Sequence, residues 1–307
     1  MDSTPSAKYN ETDDSEDLPS ESGEGGGMSS LNNLIAIADI QKRCNELAES
    51  AGKRQSAEAI QLPLWPLEKR GTPNSFLRSA LFAAIQGKDR VYLEEAVLAS
   101  QKSISVKFTG KQLNQEDLTV WETLVHLARS HPLGNECNFS AHGILKAMEL
   151  PKGGEQHKQL HSSIIRLTAC AVQIQHEGRS YFGSLIEGGV KDEISSHYHV
   201  RLNRDLLWLF DDDKWTAIIW KQRLKLRRKP LAQALHAYYS SHRSPHPVKL
   251  STLRELSGSR NRQPADFKRK CAAALDSLTE IGFLQGYEIK GEMVVVSRSM
   301  AALAKSP

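Results

Sequence analysis

Apolar positions along the chain switch between helical and strand spacing, and the switches divide it into elements. Residues 1–30 are mostly Ser, Glu, Asp and Gly with almost nothing to bury, which predicts a disordered leader. Met28 follows Gly25-Gly26-Gly27, an arrangement open to an internal start or to a plain flexible leader. Leu34, Ile37, Cys44 and Leu47 stand at near-helical spacing and predict a short amphipathic helix over 31–51, for packing or self-association. A polar connector leads to Gln61-Leu62-Pro63-Leu64-Trp65-Pro66-Leu67, where two prolines forbid a regular helix and predict an extended segment.

The pattern then predicts a helix over 74–86, a strand pair within 91–108 and a helix over 115–130. Ser140 is a candidate N-cap for a helix ending near Leu150. The turn Pro151-Lys152-Gly153-Gly154 follows, then a longer helix over 155–171 and a hairpin over 172–186 about Glu177-Gly178-Arg179. Helix, turn, helix, hairpin is the winged-helix order. It recurs with Ser251 as cap, a turn over 258–263, a helix opened by Pro264 and running to Ile281, and a hairpin about Gly291. An offset of 111 aligns Ser140 with Ser251, Leu145 with Leu256, Leu160 with Cys271, Ile164 with Leu275 and Leu167 with Leu278. This pattern reads as an internal duplication, against the alternative that helical cores resemble one another by chance. The expected fold class is α+β: a flexible N-terminal region over 1–70, then two tandem winged-helix domains over 71–210 and 211–307.

Composition adds a direction to this picture. Of 307 residues 39% are hydrophobic, enough for two cores, while the longest apolar runs fall far short of the ~20 residues a membrane helix needs. No basic-then-apolar secretory signal opens the chain, so a cytoplasmic, non-membrane protein is expected. Cys44, Cys137, Cys170 and Cys271 form no CxxC pair, which argues against a disulfide framework or a zinc knuckle. Residues 1–30 carry eight acids and one lysine, net −7; the whole chain is +4, so the remainder is +11. A basic body points to a polyanion, with nucleic acid the first candidate.

The two longer helices sharpen that candidate. Leu160, Ile164, Leu167 and Ala171 form the expected buried stripe of the first, and Phe267, Cys271, Leu275 and Leu278 that of the second. Lys158, Gln159, Ser162 and Arg166 then face outward on the first, and Arg269 and Lys270 on the second, with Arg260 and Arg262 in the preceding turn. Arg can bridge guanine and Gln adenine in a major groove, although a solvated helix face has the same composition. Between the units, Lys221, Arg223, Lys225, Arg227, Arg228 and Lys229 alternate with Leu224 and Leu226, as expected of a strand or linker with a phosphate-facing side. Arg179 and Lys290 at the hairpin tips are candidate backbone or minor-groove contacts.

Enzymatic readings are weaker. No GxxxxGK[ST] occurs, so strand opening would have to draw on DNA-binding energy. His197-Tyr198-His199 with Tyr238-Tyr239 resembles the His-hydrophobic-His metal site and tyrosine nucleophile of rolling-circle initiators, but Tyr replaces the aliphatic residue and a third ligand is missing. His157 and His161 have the spacing of helical zinc ligands without the glutamate a metalloprotease needs. No metal, cofactor or catalytic residue is expected.

Gln61-Leu62-Pro63-Leu64-Trp65, Leu206-Leu207-Trp208-Leu209-Phe210 and the stretch from Trp215 to Pro230 with its basic cluster resemble the TrfA family of replication initiators from broad-host-range plasmids. The resemblance covers the chain from about Leu31 onward. It implies binding to direct repeats (iterons) at an origin, opening of an adjacent AT-rich segment, recruitment of the host helicase, initiator and polymerase, and dimers that become monomers to act. Residues 61–65 look like a bacterial sliding-clamp-binding motif: Gln61, Leu62 and Leu64 match, and Trp65 stands where Phe is usual. In the expected docking, Leu64 and Trp65 anchor in an apolar groove while Gln61 fixes register. The readings that remain are a non-enzymatic initiator, a winged-helix transcriptional repressor and a nicking enzyme.

Overall fold

The computed structural model describes residues 62–130, 135–211 and 213–298, together with Lys42. The leader, the 31–51 helix apart from Lys42, which is helical, and Gln61 lie outside the described residues. In chain order the elements are β1 (Lys69–Pro73), α1 (Asn74–Leu77), β2 (Tyr92–Leu98), β3 (Ile104–Lys111), α2 (Gln115–Ala128), β4 (Glu136–Ser140), α3 (Ala141–Ala147) and α4 (Gly154–Thr168). Four strands follow, β5 (Ala171–His176), β6 (Arg179–Gly183), β7 (Ile186–Lys191) and β8 (His197–Leu202), then a 3-10 turn over Arg204–Phe210. The remainder is β9 (Trp215–Ile219), α5 (Trp220–Lys225), α6 (Pro230–Ser240), β10 (Val248–Lys249), α7 (Leu250–Leu256), α8 (Pro264–Glu280), β11 (Leu284–Lys290) and β12 (Met293–Arg298).

The helix expected over 74–86 stops at Leu77. Leu81, Phe82, Ala83 and Ile85 are all buried, and such nearly continuous burial does not fit a one-sided surface helix. The segment instead forms isolated bridges, Ser79 with Ser100 and Ala83 with Asn114. The helix expected over 115–130 is α2. Asn114 closes a capping box: its side chain accepts from the amides of Glu116 and Asp117, and Asp117 accepts from the Asn114 amide.

Two three-stranded sheets share one plan. In the C-terminal lobe the order is β10-β12-β11, with α7 and α8 lying in sequence between β10 and the β11–β12 hairpin. In the N-terminal lobe the order is β4-β8-β7, with α3 and α4 after β4. The hairpin equivalent to β11–β12 is therefore β7–β8. The hairpin expected over 172–186 does form, as β5–β6, but it joins a separate four-stranded sheet of order β2-β3-β5-β6. The reason is apolar pairing: Val172 and Ile174 lie opposite Phe108 and Val106 of β3, and all four are buried. Gly189 lets β7 close on β8, since a Cβ there would lie 2.5 Å from the His199 carbonyl oxygen.

The core positions matched by the 111-residue offset are buried in both lobes: Leu145 and Leu256, Leu160 and Cys271, Ile164 and Leu275, Leu167 and Leu278. Ser140 caps α3 by accepting from the Gly143 amide. Ser251 does not cap, because α7 already begins at Leu250 after Lys249. Ala171, expected in the buried stripe, is exposed on β5. The basic run is neither strand nor linker: its first half is α5, Leu224 enters the N-terminal core and Leu226 the C-terminal one. Residues 62–70, read as part of the flexible region, pack through Leu62, Trp65, Lys69 and Arg70, and β1 pairs along its length with β9.

Two buried histidines make the fold sensitive to acid. Burial lowers His126 to about 3 and His236 to about 3, with nearby arginines adding to the effect. The unfolded chain binds these protons near pH 6.5, so the stability they contribute is complete above that pH and is lost as pH falls toward 3. Thermal midpoints should therefore fall from pH 6.5 downward, and His236→Gln should flatten that slope. An unchanged slope would show that His236 takes no part.

Candidate nucleic-acid interface

α8 turns Phe267, Cys271, Leu275 and Leu278 into the core, leaving Lys268, Arg269 and Lys270 exposed. Asp266 braces this face. It accepts from Arg269 at 2.5 Å, Lys270 at 2.9 Å and the Asn261 amide at 2.5 Å, and these bonds hold its carboxyl down to about 2. Lys268 was not anticipated, although it belongs to the basic triplet 268–270; the Asp266 brace was readable from its spacing to Arg269 and Lys270. In the preceding turn Arg262 is exposed, while Arg260 reaches Gln112 of the N-terminal lobe at 2.6 Å.

On α4, Lys158, Gln159 and Ser162 face outward as expected. Arg166 does not. Its guanidinium folds back on the buried Asp117 at 2.7 and 3.1 Å, beside Arg90 on the same carboxylate, so it braces α4 against α2. Arg223 is fully buried, with Nε 2.7 Å from the Glu122 carboxylate, and cannot meet a phosphate. Arg227 donates to the carbonyls of Met148 and Glu149 and ties the loop after α5 to the end of α3. Arg179 is not at the equivalent hairpin tip: it lies on β6, 3.4 Å from Asp211, whereas the β7–β8 tip spans 192–196. Lys290 sits at the β11–β12 tip, paired with Glu288 at 2.9 Å. Lys221, Lys225 and Arg228 are exposed, and Lys229 reaches Ser277 at 3.0 Å.

Two clefts lie between the lobes, and their basic lining comes from residues 227–270. One, of about 970 Å³, is lined by Lys229, Arg260, Arg262 and Lys270. The other, of about 740 Å³, is lined by Gln159, Arg227 and Arg228. Ile85, Gln86 and Pro230 line both, so the clefts meet at the start of α6. Lys158, Ser162, Arg179, Lys221, Lys225, Arg269 and Lys290 do not line them.

The extended segment Leu62 to Pro66 is held differently from the exposed anchor the motif requires. Leu62 and Trp65 are buried; Trp65 donates to His126 Nδ1 at 2.9 Å, stacks on Phe210 and covers Gly71. Of the described motif residues Leu62, Leu64 and Trp65, only Leu64, 79% exposed, is available to a partner. His197 and His199 share a face of β8, where their Nδ1 atoms meet the Ser195 carbonyl and the Asn138 side chain. His161 meets the Tyr198 hydroxyl at 3.2 Å. Tyr238 and Tyr239 are core residues whose hydroxyls burial pushes above the usual range. Among the described residues no three His, Cys, Asp or Glu side chains are grouped to hold a metal, and no helix is long and apolar enough to cross a membrane.

The TrfA protein family matches residues 45–298. A plasmid replication initiator protein TrfA from Escherichia coli is 25% identical over 292 residues, covering 89% of this chain and 75% of that protein. Among solved structures, domains 2 and 3 of RctB share the fold at a TM-score of 0.52 and 15% identity, over 75% of this chain and 99% of theirs. A family match over residues 45–298 spans most of the 307-residue chain, and the chain belongs to the TrfA family.

Proposed function

We propose that the protein is a plasmid replication initiator that binds iterons through two winged helices, with α4 and α8 as the recognition helices. The observation that carries this reading is the repeated strand, helix, helix, hairpin unit, which in each lobe leaves one helix with an exposed polar face. Arg269 and Arg262 offer guanine-type donors and Gln159 an adenine-type pair, while Lys158, Lys221, Lys225 and Lys290 supply charge along the backbone. The protein works without catalysis, in the cytoplasm: DNA-binding energy opens the AT-rich segment, host helicase and initiator are recruited, and a dimer gives way to the active monomer. Burial of Tyr238 and Tyr239 speaks against a nicking nucleophile. A sliding-clamp contact through residues 61–65 belongs to this function only if Leu62 and Trp65 leave the core.

Selection of duplexes from random sequence with the purified chain tests the proposal, and tandem repeats beside an AT-rich tract should contain the selected site. Arg269→Ala or Arg262→Ala should weaken that site by ~1–3 kcal/mol and relax discrimination, whereas Lys225→Ala should weaken all duplexes alike. Equal losses on selected and random duplexes would remove the arginines from base readout. A repressor would bind a site outside any origin. A covalent nick at Tyr238 or Tyr239 would overturn the non-catalytic reading.

A further inference from the structure

We infer that the junction of the two clefts, at the first turn of α6, seats a single DNA backbone phosphate between the two recognition helices, and that Arg228 is its principal ligand. The inference rests on the DNA-binding reading and adds to it a defined contact. α6 begins at Pro230 with no side chain capping its first turn, and Leu231 and Ala232 line the larger cleft, so their amides lie at a positive helix end. A helix N-terminus alone is a common feature; three further observations single this one out.

The first is the neighbouring charge. Lys229, Arg260, Arg262 and Lys270 line the larger cleft against one acid, Asp89, while in the smaller cleft Arg227 and Arg228 stand with Glu116 and Glu149. Arg262 makes no hydrogen bond or ion pair among the described residues, which leaves its guanidinium available. The second is Gln233 in the first turn and a half of α6. It is 94% buried (6% exposed), lines the smaller cleft, and its side-chain amide has no hydrogen-bond partner among the described residues. Its amide is open to the cleft rather than sealed in the core, and a phosphate oxygen at the cleft floor would accept from its N–H. The third is Arg228. It is exposed, has no ion-pair partner among the described residues, lines the smaller cleft, and holds φ at +64°, a left-handed conformation that favours glycine. A bulky side chain there carries backbone strain, shared in the same cleft by Glu149 at φ +52°. It lies in the turn between α5 and α6, two residues before Pro230, and its side chain lines the smaller cleft.

A phosphate fits this site better than a free small anion does. The clefts are open and continuous, and they join Gln159 on α4 to Lys270 on α8. A strand of backbone passing between two groove contacts would follow that line. The strand would be held by position, without regard to base identity.

The test uses the full chain and the duplex it selects. Arg228→Gly should raise the thermal midpoint by relieving the left-handed residue, yet weaken binding to selected and random duplexes equally. The slope of log Kobs against log salt should become shallower by ~0.9, the value for one phosphate contact, so raising salt from 50 to 200 mM costs the variant about threefold less affinity than it costs the unaltered chain. Arg228→Lys should keep the unaltered slope. A scan of neutral methylphosphonates along the duplex should find one linkage that weakens the unaltered chain and has no effect on Arg228→Gly. An unchanged slope in Arg228→Gly, an equal loss in Arg228→Lys, or methylphosphonate effects that all add to the Arg228→Gly loss would overturn this contact while leaving the DNA-binding reading intact. Absence of salt-dependent binding by the unaltered chain would overturn both.

Discussion

Replacing Arg223 with alanine is expected to destabilise the fold by about 3–5 kcal/mol, the range for breaking a buried ion pair from one side. Arg223 and Glu122 are both fully buried, with Arg223 Nε 2.7 Å from Glu122 Oε2. Arg223 also donates to the Gln115 carbonyl at 3.0 Å and its side-chain oxygen at 3.2 Å, and Thr72 donates to Glu122 at 2.8 Å. Burial raises the Glu122 carboxyl and lowers the Arg223 guanidinium, and each charge partly offsets the shift of the other. Alanine removes only one of them, leaving a carboxylate inside the core with Thr72 as its remaining hydrogen-bond donor. It must then protonate or draw in water. The double variant Arg223→Met with Glu122→Met removes both charges at similar volume, so it should recover most of the loss. Urea denaturation of the three proteins measures this. If Arg223→Ala keeps normal stability and loses DNA affinity instead, the residue is a phosphate contact after all.

That outcome matters because Arg223 shows what a sequence pattern leaves open. Six cations in nine residues read as one phosphate-facing surface, yet α5 distributes them over every side of a short helix and its following turn. Lys221 and Lys225 point to solvent, Arg223 enters the core, Arg227 ties two loops, and Arg228 and Lys229 reach the clefts. The partner that draws Arg223 inward, Glu122, is 101 positions earlier, a separation no local pattern reports. Arg166 was misassigned for the same reason, since Asp117 is on another helix. By contrast, elements whose signal is local were readable. The stripe of α8, the Ser140 cap and the α2 helix appear as periodicity and capping dictate. The hairpin over 172–186 was placed correctly but given the wrong partner. Its alternating apolar face is equally suited to any sheet with a complementary face, and β3 supplies one. The repeat offset carried the two helices and failed at the inserted β5–β6, because sheet pairing, and not spacing, identifies equivalent strands.

Trp65 and Leu64, adjacent in the extended segment, should respond oppositely to alanine. Trp65→Ala is expected to cost about 3–5 kcal/mol, the range for emptying a buried aromatic site. The ring is 4% exposed, stacks on Phe210 with centroids 5.9 Å apart, lies 5.6 Å from Trp215, and covers Gly71 so closely that a Cβ there would fall 2.6 Å from it. Its indole also donates to His126 Nδ1, which requires that histidine to be neutral, consistent with burial lowering it to about 3. Losing the donor leaves a buried acceptor without its partner, and the cavity cannot collapse easily because β1 and β9 are paired across it. Leu64→Ala should change stability by less than about 0.5 kcal/mol, as expected for an exposed side chain outside the core. Thermal unfolding of the two single variants separates these effects, and binding to a purified bacterial sliding clamp adds the second axis. Loss of clamp binding in Leu64→Ala with stability intact would make the segment a docking peptide that exposes its anchor on binding. Normal stability in Trp65→Ala would mean that the indole is not part of the core, and the exposed-anchor reading of the motif would return.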